Sequence, residues 1–160
     1  MKVEIVVADY LNPTHSRDIG FLMDCYARDP MGGGEPLSED IRQRLAVELA
    51  KIPNAFSLLC YVDDQPAGLV NCFQGFSTFK CRPLINIHDI VVASDFRGLG
   101  LSRKLLQKVQ SIAQKRGCCK LTLEVLEGNA KAQRVYSSFG FSGYELGPKH
   151  GRAMFWEKPL

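Results

Sequence analysis

Arg97-Gly98-Leu99-Gly100-Leu101-Ser102 stands between an apolar run, Ile85 to Ala93, and an amphipathic segment from Leu101 to Ala113. That order predicts a strand, a tight glycine turn and a helix. The first turn of a helix carries free N–H donors and the positive end of its dipole, so it attracts phosphate. Gly98 and Gly100 lack a Cβ and let a ligand approach the main chain. The stretch therefore points to a phosphorylated cofactor. A dinucleotide fingerprint is excluded, because Arg103 stands where the third glycine belongs and no acid closes a second strand about 20 residues on. A P-loop is excluded because the chain has no Gly-Lys-Ser/Thr ending.

Outward from this turn the rest of the chain reads as alternating elements. Val3 to Ala8 is an opening strand, and His15 to Arg28 places Ile19, Leu22, Met23 and Tyr26 on helical spacing. Residues 29–36, with two prolines and three glycines, predict a loop. Ser38, followed by Glu39 and Asp40, predicts the start of a second helix reaching about Ile52. Phe56 to Val62 and Ala67 to Phe76 form a hairpin about the turn at Asp63-Asp64-Gln65-Pro66. After the Ile85 strand and the Leu101 helix come a strand at Leu121 to Val125, a helix from Asn129, and closing strands near 142–146 and 153–157. The helix from Leu101 offers Leu105, Leu106, Val109, Ile112 and Ala113 to a core, and Gly117 after Lys115-Arg116 suits its end.

A second unusual pattern follows downstream. Asn129-Ala130-Lys131-Ala132-Gln133-Arg134-Val135-Tyr136 runs on to Phe139-Gly140-Phe141. Together with Arg97-x-x-Gly100-x-Ser102, this resembles the GCN5-related N-acetyltransferase (GNAT) family. That family carries Gln/Arg-x-x-Gly-x-Gly/Ala and then Asn-x-x-Ala-x-x-x-Tyr-x-x-x-Gly-Phe. Asn129, Ala132, Tyr136, Gly140 and Phe141 match the second pattern residue by residue, and Ser102 replaces the last small residue of the first. The match covers about Ile85 to Phe141, roughly a third of the chain; before it only the order of elements agrees.

The resemblance implies an α/β fold in one domain, residues 1–160, with a mixed, mostly antiparallel central sheet flanked by helices. The order of elements is β-α-α-β-β-β-α-β-α-β-β. It also implies acetyl-CoA as co-substrate. Its pantetheine arm would pair with the strand at Ile90, Val91 and Val92, and its pyrophosphate would lie on the amides from Gly98 through Leu99, Gly100, Leu101 and Ser102 to Arg103. Arg97, Arg103 and Lys104 can add charge near the phosphates, or simply form a solvated helix start. Asn129 and Lys131 are expected near the cofactor, with Arg134 a weaker contact. The implied activity is transfer of an acetyl group to a primary amine, a small amine or amino-acid derivative, by direct attack in a ternary complex. A protein N-terminus or lysine side chain is the alternative acceptor, and an acyl-CoA sensor without turnover is a second alternative.

Transfer to an amine expels a thiolate, which a nearby proton donor would keep from re-attacking. The resemblance gives that role to Tyr136. A tyrosine (about 10) donates to a thiolate (about 8.5) uphill by roughly 2 kcal/mol, so the site must arrange the transfer. The other reading of Tyr136 is an anchor for the cofactor sulfur. The acceptor poses the opposite need, because neutralising a lysine-like ammonium at pH 7 costs about 4–5 kcal/mol. His88 precedes the cofactor-pairing segment and is the candidate base, with Asp89 and a water chain the competitors. On strict alternation His88 shares a face with Ile90 and Val92, and Asp89 with Ile87 and Val91, so one of the two meets a core side. A structural His88–Asp89 pair is the alternative.

Composition removes other classes. At 160 residues and 46% hydrophobic the chain suits one domain with a real core. A net charge of +3, from 20 basic and 17 acidic side chains, does not make the clustered basic face of a nucleic-acid binder. No apolar stretch reaches membrane-spanning length, and Met1-Lys2-Val3-Glu4 puts an acid where a signal peptide is apolar, so a cytoplasmic protein is expected. Cys25, Cys60, Cys72, Cys81, Cys118 and Cys119 contain no Cys-x-x-Cys pair, and His15, His88 and His150 lack zinc spacing, so no metal is expected and the cysteines read as free thiols. Cys72 is the candidate for a covalent route, which direct transfer makes unnecessary. A homodimer is compatible with Met154-Phe155-Trp156, which suits a core or an interface equally.

Overall fold

Alternating apolar residues bury both faces of a sheet when helices cover both sides, and this chain does so in its first two thirds. The computed structural model describes all 160 residues. Strands β1 (Val3–Val7), β2 (Ala55–Val62), β3 (Gln65–Ser77) and β4 (Arg82–Val92) pair antiparallel in sequence order. The fifth strand, β5 (Leu121–Leu123), joins β4 in parallel at the sheet edge. The expected mostly antiparallel mixed sheet is therefore present, with its helices in the expected order.

Helix α1 (Pro13–Arg28) begins two residues before the expected start. Asn12 caps it, its Oδ1 accepting from the amides of Thr14 and His15, and Pro13 supplies a pre-set first position. Helix α2 (Glu39–Ala50) starts at the expected cap, where Ser38 Oγ accepts from the Ile41 amide. Between them Pro30–Gly32 forms a single 3-10 turn. Both helices cover one face of the sheet, where Ile19, Leu22, Ala46, Leu59, Leu69 and Val91 pack together. Helix α3 (Leu101–Lys115) covers the other, setting Leu105, Leu106 and Val109 on Leu58, Cys60, Val70, Cys72, Ile85 and Ile87. The switch of neighbours Leu58/Leu59 and Leu69/Val70 between the two cores is the period of two made visible. Each fully buried leucine contributes about 1.5–3 kcal/mol in transfer free energy.

The chain after α3 is built differently. Helix α4 (Ala130–Phe139) has no buried residue, and its Val135, Tyr136 and Phe139 pack on the α3-side core only in part. The closing strands depart from expectation. β6 (Glu145–Gly147) and β7 (Gly151–Arg152) pair only with each other, as a two-stranded ribbon outside the main sheet. Residues 153–157, expected as a strand, carry no ladder at all. Alternation specifies a strand's faces but not its partner, and here no partner edge is engaged.

Candidate active site

The turn after β4 behaves as its glycines demand. Gly98 and Gly100 sit at φ +84° and +73°, a region where side chains are strained, and a Cβ built on either meets nothing within 4 Å. Gly100 caps α3 without any side-chain hydrogen bond. The six consecutive amides of Gly98, Leu99, Gly100, Leu101, Ser102 and Arg103 donate to no group of the protein. Leu101 turns its side chain into the core, so only its main chain faces the open space. Six unpartnered donors at the positive end of a helix are a ready cradle for a diphosphate.

Next to this cradle the sheet splits. β4 and β5 pair only over Ile85–Ile87 and Leu121–Leu123, so Asp89, Ile90, Val91 and Val92 keep an open edge on the β5 side. An extended chain of amides can pair there as an added strand. Ile90 and Val92 turn toward the α3-side core and Val91 toward the α1 side.

At position 88 the structure corrects the alternation argument. The β3–β4 register runs Asn71 opposite Asp89 and then Cys72 opposite Ile87, leaving His88 as an inserted bulge residue. Ile85 and Ile87 before it, and Ile90 and Val92 after it, all face α3. His88 and Asp89 therefore both project on the α1 side, and neither is forced into a core. His88 is exposed, edge-on to Phe73 at 5.5 Å between ring centroids, and its ring nitrogens bond no protein group.

Asp89 ends a directed chain of donors. Tyr10 Oη lies 2.8 Å from Ser57 Oγ. Ser57 donates to Asn71 Oδ1 at 2.6 Å, and Asn71 Nδ2 donates to Asp89 Oδ2 at 3.0 Å. With Ser57 committed as a donor to Asn71, the Tyr10 hydroxyl donates to Ser57. The amide of buried Asn71 is thereby oriented, and with it one oxygen of Asp89. The other oxygen, Oδ1, has no partner in the protein. Sequence reading has no access to this network, because it joins residues that are far apart in the chain.

Tyr136 lies on α4, half-buried, edge-on to Phe141 at 6.1 Å. Burial pushes its hydroxyl up to about 12, with a smaller push from Tyr26. Tyr26, on α1, is raised first by burial and then by Asp89 and Asp29. The two tyrosines, one from each side of the sheet, thus share an electrostatic neighbourhood with Asp89 at the split. Tyr26 escaped sequence reading because a tyrosine at helical spacing looks like core.

The basic residues divide. Arg97 donates from Nη2 to Asp29 Oδ2 at 2.9 Å and from Nε to the Val92 carbonyl at 3.3 Å. The Asp29 carboxyl is held below its ordinary value, first by the Met31 amide and next by Arg97, with Lys131 also felt from α4. Arg97 and the loop after α1 therefore meet directly, and the charge of Lys131 on α4 is felt there. Arg103 lies over the Phe139 ring at 5.8 Å, and Lys104 and Arg134 are exposed. Asn129 Oδ1 accepts from the Ala132 amide, so its side chain caps α4.

Cys72 is 1% exposed, and burial pushes its thiol up to about 12. At neutral pH such a thiol holds only about one part in 10⁵ as thiolate, so it is no nucleophile. All six cysteines are free, and no three His, Cys, Asp or Glu side chains gather as a metal site. No helix is long and apolar enough to cross a membrane.

Known proteins share this fold. The model of the acetyltransferase (GNAT) family matches residues 21–141. Bovine thialysine N-epsilon-acetyltransferase is 38% identical over 68 residues, 42% of this chain and 39% of that protein. The chain thus matches about two fifths of the length of that curated relative. Among solved structures, a Vibrio cholerae integron cassette protein superposes with a TM-score of 0.78 at 22% identity, covering 98% of this chain and 94% of that one. An aminoglycoside N-acetyltransferase bound to CoA superposes at 0.73, with 20% identity and coverage of 99% and 96%. At these identities the superpositions establish the fold.

Proposed function

The chain belongs to the GNAT acetyltransferase family, and from that premise we propose that it is an acetyl-CoA-dependent N-acetyltransferase acting on a small primary amine. The observation that carries this reading is the run of six unpartnered amides, Gly98 to Arg103, beside the open edge of β4. Those residues fit the diphosphate and the pantetheine arm, and acetyl-CoA bound there supplies an acyl thioester. Arg97, and Lys131 whose charge reaches the same loop, suit the nucleotide end. An amino-acid-like amine is favoured because the bovine relative is named for acetylating the ε-nitrogen of thialysine.

The chain's own groups then divide the proton work. Asp89, fixed through Asn71, offers Oδ1 to an incoming ammonium. His88, exposed and unbonded beside it, takes the proton whose removal costs about 4–5 kcal/mol at pH 7. Main-chain N–H groups at the split stabilise negative charge on the acyl oxygen, about 3 kcal/mol per donor in comparable sites. Tyr136 holds a proton at Oη. With its hydroxyl near 12, a separate transfer to a thiolate of about 8.5 would be uphill by about 5 kcal/mol. Tyr136 therefore acts as acid only as the carbon–sulfur bond breaks. The inert Cys72 supports direct transfer over a covalent relay.

Thiol release measured across a panel of diamines, amino acids and peptides tests the reading. Release above background hydrolysis with a small amine is expected, together with loss of the acidic limb of the pH–rate profile in His88→Ala. Release only with peptides would point to a protein acceptor. Binding of acetyl-CoA without release would leave a sensor, for which the hydroxyl of Tyr136 has no evident use.

A further inference from the structure

Four polar side chains cross the α1-facing layer of the core, where Ile19, Leu22, Leu59 and Leu69 otherwise pack. Two of them, Ser57 and Asn71, are 0% and 3% exposed. Apolar side chains could hold this layer as well, because exchanging both partners of a buried hydrogen bond for apolar groups of the same shape is nearly neutral. The chain from Tyr10 through Ser57 and Asn71 to Asp89 therefore points to a use beyond the fold. One further contact gives it a direction. Asn71 Nδ2 also lies 3.3 Å from Met23 Sδ on α1. A thioether accepts weakly and never donates. With the amide turned over, Asn71 Oδ1 would face a sulfur and a carboxylate, neither with a proton to give. Met23 thus selects the orientation in which Asn71 accepts from Ser57 at 2.6 Å and donates to Asp89 Oδ2 at 3.0 Å. Asp89 is held by one oxygen, and Oδ1 is left for an incoming group.

Resting on the amine-transfer reading above, we infer that Asn71 and Met23 are positioning residues of the acceptor subsite, and that they make it select an alkylammonium over an uncharged isostere. Restraining Oδ2 restrains the plane of the carboxyl, so Oδ1 meets the acceptor in one geometry. An ammonium donates to that oxygen with its charge, a bond about twice as strong as the neutral one offered by an alcohol of the same length. A carboxyl free to rotate keeps its charge but loses this preorganisation. Neither Asn71 nor Met23 touches the reacting atoms. Each acts through Asp89, Asn71 directly and Met23 by fixing which way the Asn71 amide points.

Pentylamine, an ammonium at neutral pH, and uncharged 1-pentanol are titrated into the full chain by ligand-observed NMR, with and without CoA. The amine is expected to bind at least about tenfold more tightly than the alcohol. Met23→Leu conserves volume and is expected to narrow that ratio about two- to fivefold. Asn71→Leu is expected to narrow it about tenfold, with far-UV circular dichroism and CoA affinity unchanged. In turnover, Asn71→Leu is expected to raise the KM for the amine about tenfold while the KM for acetyl-CoA stays where it was. Folded variants that keep the wild-type ratio overturn the inference, as does equal binding of amine and alcohol to the wild type, or binding of neither. If only Asn71→Leu narrows the ratio, the part given to Met23 falls; if Asn71→Leu does not fold, Met23→Leu decides. Failure of the transfer reading looks different: thiol release stays at background with every amine while the binding ratio stands.

Discussion

All 30 buried residues lie at or before Ala113; none of residues 114–160 is buried. The first region holds two cores, one on each face of a four-strand meander. The second holds a three-residue strand, a helix resting on the first region by one flank, and a free ribbon. The candidate site lies on the seam. Its amide cradle and His88–Asp89 are mounted on the dense region, whereas Tyr136 and Lys131 are mounted on the loose one. Close packing of α3 holds the cradle in place, while Tyr136 rests on partial packing against the α3-side core and its edge-on contact with Phe141. Changes in the buried packing of the first region should therefore register as stability, and the change at Tyr136 in the second as turnover.

The sharpest test of that division is Tyr136→Phe. Loss of a positioned proton donor should lower kcat by about 10² to 10⁴-fold, with CoA affinity within about twofold and the melting temperature nearly unchanged. An unchanged kcat would remove the acid role, and a large drop in melting temperature would show that α4 carries more of the fold than its exposure suggests. The pH dependence of stability adds a signature. Burial raises the Tyr136 hydroxyl to about 12, above an unfolded value near 10. The unfolded chain thus loses this proton first, so the contribution is intact below pH 10 and is lost as pH climbs from 10 to 12. Tyr136→Phe should flatten the decline in stability across that window.

A paired truncation compares the two regions directly. Leu106 is fully buried between α3 and the sheet, and Leu106→Ala should cost about 2–5 kcal/mol. Val135, half-covered on α4, removes fewer contacts, and Val135→Ala should cost less than about 1.5 kcal/mol. Denaturant midpoints measured at equal slope would decide it. Equal costs would erase the contrast, and a larger cost at Val135 would reverse it.

The same contrast governs what the sequence discloses. In the dense region, alternation and caps are local signals that burial enforces, so the strands from Val3 to Val92 and the starts at Ser38 and Leu101 were readable within a few residues. The cradle was readable because Gly98 and Gly100 have few other uses. The bulge at His88 was not, since an inserted residue leaves no mark on an apolar pattern and reverses the face of everything before it. The Tyr10–Ser57–Asn71–Asp89 chain and the link from Arg97 to Asp29, 68 residues apart, are products of folding rather than of spacing. In the loose region the apolar run Met154-Phe155-Trp156 was legible as a strand signal, but residues 153–157 form no ladder, because composition does not supply a partner edge.

The smallest expected effect concerns the contact between the cradle and the loop that follows α1. Arg97 spends its guanidinium on Asp29 and Val92, with Arg97 and Asp29 side chains 44% and 24% exposed. A pair this accessible contributes about 0.2–1 kcal/mol. Because the Asp29 carboxyl is depressed, first by the Met31 amide and then by Arg97, its contribution is present above about pH 4 and is lost as pH falls through the folded value. Asp29→Asn should therefore lower stability slightly at pH 7 and leave it unchanged in strong acid. It should also free Arg97 to meet a phosphate, tightening CoA binding by about two- to fivefold with a steeper salt dependence. If calorimetry instead shows weaker binding, Asp29 is a strut that holds the mouth in shape, and the dense region reaches further into the site than the burial pattern indicates.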